Sequence, residues 1–390
     1  MSSVAAGAAG QGEWQNDKAT VRLPHICFLL PGLSAGGAER VVNILANRLV
    51  ETGWMVTLVT LAEPGETPYY QFAPEVAVVG LGLPPAPRGR VGGMVAAIRR
   101  VLKIRQAFGK ANPDVIVSFL TRTNILALIA MLGTGVPIII SERNNPELQT
   151  VGAIWAWLRR RLYPRAFGLV TITQGAMDWY PRSPRQKQWV IPNPVMVPPM
   201  GPRRRHAHKT IVAVGRLVPQ KGFDLLLEAW ARIAADCPEW RLVIWGEGEE
   251  RKVLEAQIAR LGLADRVALP GLTPTPGGWA VEADLFVLSS RFEGWGNALA
   301  EALSVGIPSI SFDCDWGPGV LVADGQNGLL VPPGDVAGLA EGLRRLMADA
   351  GLRARLGEAA QQSMVRYTPD AILAEWKQAI DAGVRAARHR

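Results

Sequence analysis

The sequence predicts an α/β protein built from two doubly wound parallel sheets whose domains face each other across a cleft. Three observations predict it. Short apolar runs alternate with helical patterns, the rhythm restarts past the middle of the chain, and a proline- and arginine-rich stretch separates the halves.

In the first half the apolar run 26–30 ends in PGLSAGGAER and hands over to a helical pattern from about Arg40 through Leu49. Strand patterns at 55–61 and 76–81 follow, then a helix over about 92–108, a strand at 115–119, a helix at 124–132 and a strand at 137–141. Apolar strands without polar alternation belong to a parallel sheet covered on both faces. The second half repeats the scheme, with strands at 210–214, 241–245, 267–269, 285–288 and 308–311. Its helices fall at 223–235, 249–261, 297–304 and 336–348, and two more, 351–367 and 369–387, close the chain without strands. The stretch 191–209 (IPNPVMVPPMGPRRRHAHK) suits an exposed hinge better than a packed element. The expected division is a loose tail at 1–20, a Rossmann-like domain at 21–195 and a linker at 196–209. A second Rossmann-like domain at 210–368 and a helix at 369–390 packing back toward the first domain complete it.

Composition narrows the function classes. With 390 residues, 48% of them hydrophobic, the chain fills sizeable cores and is neither disordered nor fibrous. The first twenty residues lack the apolar segment of a secretory signal, and the best spanning candidate, 125–140, is broken by Gly133-Thr134-Gly135-Val136-Pro137. Cys27, Cys237 and Cys314 form no CxxC pair, and His25, His206, His208 and His389 give a histidine metal site little material. A formal charge of +8 favours phosphate-bearing partners: nucleic acid, anionic lipid or a diphosphate ligand.

Two segments carry the strongest chemistry. In FEGWGNALAE, residues 292–301, Glu293 and Glu301 bracket a Gly-rich turn opening a helix, with Asn297 as the N-cap. The unpaired N–H groups of a helix N-terminus suit a phosphate, Glu301 one turn inside suits ribose hydroxyls, and Glu293 before the helix suits a sugar. An ordinary capped helix with surface acids is the plain alternative. In GRLVPQKGFD, residues 215–224, Arg216 and Lys221 leave a strand's carboxyl end five positions apart and can neutralise a diphosphate, or stand as two solvated cations. Gly36 and Gly37 after the first strand, and WGEG at 245–248, are weaker strand-end loops of the kind that approach a phosphate or make a simple turn.

Together, in this order and spacing, these segments resemble the retaining glycosyltransferases of family four, which have the GT-B fold; the resemblance covers about residues 24–380. It implies that Glu293 and Glu301 are the family's E-x7-E pair, with Glu293, Arg216 and Lys221 catalytic. It implies donor contacts from Gly36, Gly37, Gly215, Gly246, Gly271, Gly294, Asn297, Ala298 and Glu301, with LPGLT at 269–273 near the base and DGQNGLLVPPGD at 324–335 also matching. SERNNP at 141–146 and FDCDWGPG at 312–319 resemble a branch rich in N-acetylhexosamine and galactose transferases of lipid-linked oligosaccharide, lipopolysaccharide and exopolysaccharide assembly. Arg143, Asn144 and Asn145 would then lie on the acceptor or donor-sugar side, unless 144–146 is simply a turn. Asn145 stands where that branch has aspartate, and Asp315-Trp316 where it has Pro-Thr.

The resemblance further implies retention, no cofactor and no metal, a nucleotide-sugar donor with UDP-sugars favoured, and a lipid-linked or glycan acceptor. A GDP-mannose-dependent transferase is the alternative within the fold, and a nucleotide-sugar epimerase a more distant one. Asp313-Cys314-Asp315 has DxD spacing but lies in the family-like loop. Two basic segments, 88–105 and 155–165, fit a peripheral, cytoplasmic membrane surface through Arg99, Arg100, Lys103, Arg105, Trp155, Trp157, Arg159 and Arg160, or are solvated faces. No nucleic-acid recognition module appears.

Overall fold

The strand HICFLL is buried at every position, which requires a sheet covered on both faces. The computed structural model describes residues 23–34, 36–83, 90–149, 151–198 and 208–388; the expected tail at 1–20 and most of the linker at 196–209 lie outside the described residues. The first half runs β1 (His25–Leu30), α1 (Gly37–Glu51), β2 (Met55–Thr60), β3 (Ala77–Gly80), α2 (Arg90–Ala111), β4 (Val115–Phe119), α3 (Thr121–Ala130) and β5 (Ile138–Ser141). It continues through α4 (Ala153–Leu162), β6 (Gly168–Thr171), α5 (Gln174–Trp179) and β7 (Lys187–Val190). The second half runs β8 (Lys209–Val214), α6 (Phe223–Ala231), β9 (Trp240–Trp245), α7 (Arg251–Arg260), β10 (Val267–Gly271), β11 (Leu285–Leu288), α8 (Asn297–Ser304) and β12 (Ser309–Phe312). The chain ends with β13 (Leu329–Val331), α9 (Val336–Ala348), α10 (Ala350–Ser363) and α11 (Pro369–Arg388).

Among the described residues two parallel sheets form, in the orders β3-β2-β1-β4-β5-β6-β7 and β10-β9-β8-β11-β12-β13. Each order reverses once, between β1 and β4 and between β8 and β11. At such a reversal the loops leaving adjacent strands diverge, so a crevice opens at their carboxyl ends. Both switch points open on the interdomain cleft.

The helices follow from their stripes. On α1, Val41, Val42, Leu45, Ala46 and Leu49 are buried at helical spacing, while Asn43 and Asn47 bond to the Gln71 carbonyl. On α11, Ile372, Trp376, Ala379, Ile380 and Val384 make another stripe, laid on β4 and β5 of the first sheet. The Trp376 ring lies 5.8 Å from Phe119. Truncating Trp376 to alanine would cost about 3–5 kcal/mol, the range for a large buried aromatic. One apolar cluster runs from Phe28 and Phe119 through Trp376 to Trp279, Phe286 and Leu299, joining the two sheets.

Several expectations need correction. β6, β7 and β13 were not foreseen: β13 has three residues, β6 (GLVT) opens on a glycine that gives no strand signal, and β7 is a half-exposed edge strand, KQWV, with a mixed pattern. The expected hinge is not exposed at its start, since Ile191, Asn193 and Val195 are buried and the Val195 amide donates to the Tyr367 carbonyl at 2.8 Å. Of the expected membrane cations, Arg159 is only 8% exposed, stacked 4.6 Å from the Trp179 ring centre. Arg105 donates to the Ala130 and Leu132 carbonyls at the end of α3, and Trp155 lies under Arg122. Arg99 and Lys103 are exposed on α2, and Arg160 and Trp157 on α4.

Candidate active site

β8 ends at the second switch point and releases Gly215 and Arg216 into a loop that turns tightly at Pro219-Gln220-Lys221. Gly222 then takes a left-handed φ of 60°, and a Cβ there would stand 2.1 Å from the Ser289 carbonyl oxygen, so this close crossing requires glycine. The neighbouring loop leaves β11 with Ser289, Ser290 and Glu293. The two loops are laced together. Ser289 Oγ donates to the Lys221 carbonyl at 3.0 Å, Gln220 Nε2 to the Phe292 carbonyl at 2.9 Å, and Arg291 forks onto both oxygens of Asp224 at 2.8 and 2.7 Å. Arg291 holds the Asp224 carboxyl below its ordinary value. The lacing fixes Lys221 Nζ 2.5 Å from Glu293 Oε1, which also accepts from Ser290 Oγ at 2.7 Å. Glu293 is 6% exposed, so its charge needs such partners.

Two helix starts meet here. α8 begins after Gly296, at φ 90°, with no side-chain cap. Asn297 is therefore not the N-cap the sequence suggested but the first helical residue, and its side chain is used elsewhere. Its Oδ1 accepts from Asn193 Nδ2 at 2.6 Å, and its Nδ2 lies 2.5 Å from where a Cβ on Gly37 would sit. Gly36 caps α1, also without a side-chain bond. Two helix N-termini thus point their positive ends at one crevice. Beside them, Arg40 of α1 pairs with Glu301 of α8 across the domain boundary, and Arg216 acts on Glu39 of α1. Burial pushes the Glu39 and Glu301 carboxyls up, and these cations oppose the rise.

The SERNNP loop reaches the same crevice by its backbone. A Cβ on Gly294 would stand 2.6 Å from the Arg143 carbonyl oxygen and 2.7 Å from the Asn144 Cα, so only glycine lets the two walls touch beside Glu293. The Arg143 side chain, expected on the substrate side, points away. It lies between the Phe119 and Trp376 rings, 5.3 and 5.1 Å from their centres, and bonds to Asn193 Oδ1 and the Ile191 carbonyl. Burial pulls its guanidinium down to about 9. Asn145 is buried and serves a turn, accepting from the Glu147 and Leu148 amides at 3.0 and 3.2 Å. Asn144 keeps its Cα at the cleft, beside the Arg143 carbonyl, and its Oδ1 accepts from the Asn145 amide at 2.9 Å. Trp316 has a positive φ of 66°, and its ring reaches Gly175 of α5 on the opposite wall; next to it Gly317 lies against the Glu293 Cβ.

Gly215, Gly246 and Gly271 close the ends of β8, β9 and β10, where the Gly215 amide donates to the Trp245 carbonyl and the Gly246 amide to the Gly271 carbonyl. Their tight stacking builds the floor of the second-domain wall. Ala298 follows Asn297 in the first turn of α8, half-buried. Reasoning from the sequence missed Arg40, Asn193 and the buried Glu142. Arg40 stands in GGAER beside the noticed glycines and Glu142 within SERNNP, so both lay in segments already singled out. Asn193 was masked by the hinge-like composition around it.

Comparison with known proteins fits this geometry. Residues 36–194 match the glycosyl transferase 4-like domain and residues 202–363 match the glycosyl transferases group 1. The chain is 33% identical over 285 residues to an exopolysaccharide phosphotransferase of Streptomyces coelicolor; this covers 71% of the chain but only 29% of that relative's length. It is 28% identical over 362 residues, 91% of the chain and 98% of the relative, to a Campylobacter jejuni N-acetyl-D-galactosaminyltransferase whose name gives an undecaprenol-linked glycan as acceptor. The HepE protein of Anabaena, solved in complex with UDP and glucose, superposes with a TM-score of 0.73 at 20% identity, covering 92% of this chain and 99% of that one. With both halves matched and the two-sheet GT-B architecture in place, the chain belongs to the glycosyltransferases of family four.

Proposed function

We propose that this glycosyltransferase moves a hexosyl or N-acetylhexosaminyl residue, with retention, from a UDP-sugar to a lipid-linked, lipopolysaccharide or exopolysaccharide acceptor at the cytoplasmic membrane face. The observation that carries it is the convergence of Lys221, Arg216 and two helix N-termini beside Glu293. That much positive potential in one crevice calls for a polyanion, and a pyrophosphate leaving group supplies it. As the bond from the anomeric carbon to the diphosphate oxygen breaks, Lys221, Arg216 and the α8 amides take up the growing charge. The acceptor hydroxyl attacks from the same face and gives its proton to the departing phosphate oxygen. Glu293 steadies the positive charge at the anomeric carbon, and Glu301 accepts from the ribose hydroxyls. UDP is favoured because HepE was solved with it, and a lipid-linked acceptor because the Campylobacter relative's name gives one.

Thermal-shift screening with UDP-, GDP- and ADP-sugars tests the donor, with stabilisation by UDP-sugars expected. Stabilisation by GDP-mannose alone would move the reading to a mannosyltransferase, and none by any nucleotide sugar would end it. Proton NMR of the product reads retention as an α-linkage from an α-configured donor.

The membrane part of the proposal rests on α2. Its sequence carries no Asp or Glu, and Met94, Ile98 and Leu102, spaced four apart, are exposed beside Arg99 and Lys103. Among the described residues no helix is long and apolar enough to cross a membrane, so such a helix would lie on the surface. With about 1 kcal/mol per basic residue at an anionic surface, the double change Arg99→Ser, Lys103→Ser should weaken binding to phosphatidylglycerol vesicles about thirty-fold. Equal sedimentation of both proteins with vesicles would remove this part alone.

A further inference from the structure

Glu301 is buried on the second-domain wall, and the cation that matches it comes from the first. Arg40 Nη1 donates to Glu301 Oε1, and both side chains are largely shielded from water. We propose that Arg40 is a positioning residue for donor recognition: it aims the Glu301 carboxylate so that its remaining lone pairs accept from the nucleotide ribose. Ribose reading is then completed only when the two domains are together. The inference rests on the assignment of Glu301 to the ribose, and its test separates the two.

The geometry supports it in three ways. First, Arg40 has a fixed origin. Its amide donates to the Gly36 carbonyl at 3.1 Å in the first turn of α1, and that turn is seated against Asn297 through Gly37. The guanidinium therefore approaches Glu301 from a helix start already registered on the opposite wall. Second, the carboxylate is only partly used. An ionised carboxylate has about four lone-pair sites. Arg40 takes one and the Trp279 indole N–H another, which leaves acceptor capacity on a side chain that lines a small, water-sized cavity with Arg40, Pro194, Val195 and Asn297. Third, among the described residues Arg40 is the one cation that acts on Glu301. The groups acting on Glu301 are Arg40 and the Trp279 N–H; Tyr70 nearby feels Arg40, Glu301, Tyr69 and Glu39, and Glu39 feels Arg216. Burial pushes Tyr70 up to about 12, so its hydroxyl stays neutral at physiological pH.

Burial pushes the Glu301 carboxyl up, and Arg40 is the largest influence opposing this. Without Arg40 the folded value rises further, so at lower pH the carboxyl takes a proton and loses part of its capacity to accept. Nucleotide affinity in an Arg40 variant should then fall more steeply with falling pH than it does in the wild type.

The test is calorimetric titration of the full chain with UDP and with 2′,3′-dideoxy-UDP, and with the guanosine pair if GDP proves the tighter nucleotide. Wild type should prefer the ribonucleotide by about ten-fold or more, since losing a hydrogen bond to a charged group is felt at that scale. Arg40→Met and Glu301→Gln should each compress the preference to about three-fold or less, and Arg40→Lys should restore part of it. Arg40→Met should also lose more UDP affinity than wild type between pH 8 and pH 6. A merely structural Arg40 would weaken both nucleotides equally and leave the ratio intact. If Arg40→Met folds poorly, the ratio in Arg40→Lys decides, because a point charge in place of the planar fork should give an intermediate value. A wild-type ratio in the Arg40 variants, with the ratio lost in Glu301→Gln, overturns the role of Arg40 alone. A wild-type ratio in Glu301→Gln overturns the ribose assignment and the inference with it.

Discussion

The two walls of the cleft share one strand order and place different things at its reversal. The β8–β11 wall carries the charged groups Arg216, Lys221 and Glu293 on two loops laced by side-chain bonds. The β1–β4 wall offers mainly backbone, at Gly36, Gly37 and Asn144, and buries its own strand-end carboxylate, Glu142, among Thr121, Asn124 and Tyr163. One wall pairs its charges on two laced loops, while the other meets it with backbone and the α1 side chains Glu39 and Arg40 and draws its strand-end carboxylate inward. Equal topology fixes where loops emerge; the residues on them decide what each wall presents.

The comparison breaks first at Glu293. Glu293→Gln keeps the shape and removes the charge, so turnover should fall about a thousand-fold, the scale of losing one preorganised electrostatic group. Transfer assays with saturating donor read this, and turnover within three-fold of wild type would mean the charged wall is not where the barrier is lowered. A smaller effect belongs to the contact between walls. Gly294→Val places a side chain against the Arg143 carbonyl and the Asn144 Cα, so the walls must part. Donor affinity should change little while turnover drops about a hundred-fold, as expected when reacting groups are displaced by about 1 Å. Unchanged turnover would show that the SERNNP backbone is a bystander.

How far the sequence foretold these walls differs in the same way. The charged wall was legible because its residues sit in short linear segments whose spacing follows directly from strand, loop and helix: Arg216 and Lys221 after one strand, Glu293 and Glu301 around one helix start. The other wall was read by type instead of by direction. Arg143 is a cation in a loop at the cleft, yet Phe119 and Trp376 draw its guanidinium inward, and nothing local announces a tryptophan more than two hundred residues later. Asn145 was readable as a turn residue and proved to be one. The Asn297 cap failed because Gly296 can take a left-handed φ that frees the asparagine for Asn193. Arg40 and Glu301 pair over 261 positions, a partnership only the closed cleft creates.

The smallest effect should come from the hidden carboxylate. Glu142 is buried, and burial pushes its carboxyl up against the opposing donors Tyr163, Thr121 and Asn124 and the nearby Arg159. The folded chain therefore holds this proton more tightly than the unfolded one. As pH rises above the ordinary carboxyl range toward the raised folded value, the unfolded state has already released the proton while the folded state keeps it, so stability falls across that window. Glu142→Gln fixes the neutral form. Its melting temperature should decline less than that of wild type between pH 5 and pH 8, by a few degrees (about 1 kcal/mol at this scale). Calorimetry at the two pH values reads the difference. A variant whose melting point tracks wild type at both would show that Glu142 stays ionised in the fold, and the first wall would then hold charge as the second one does.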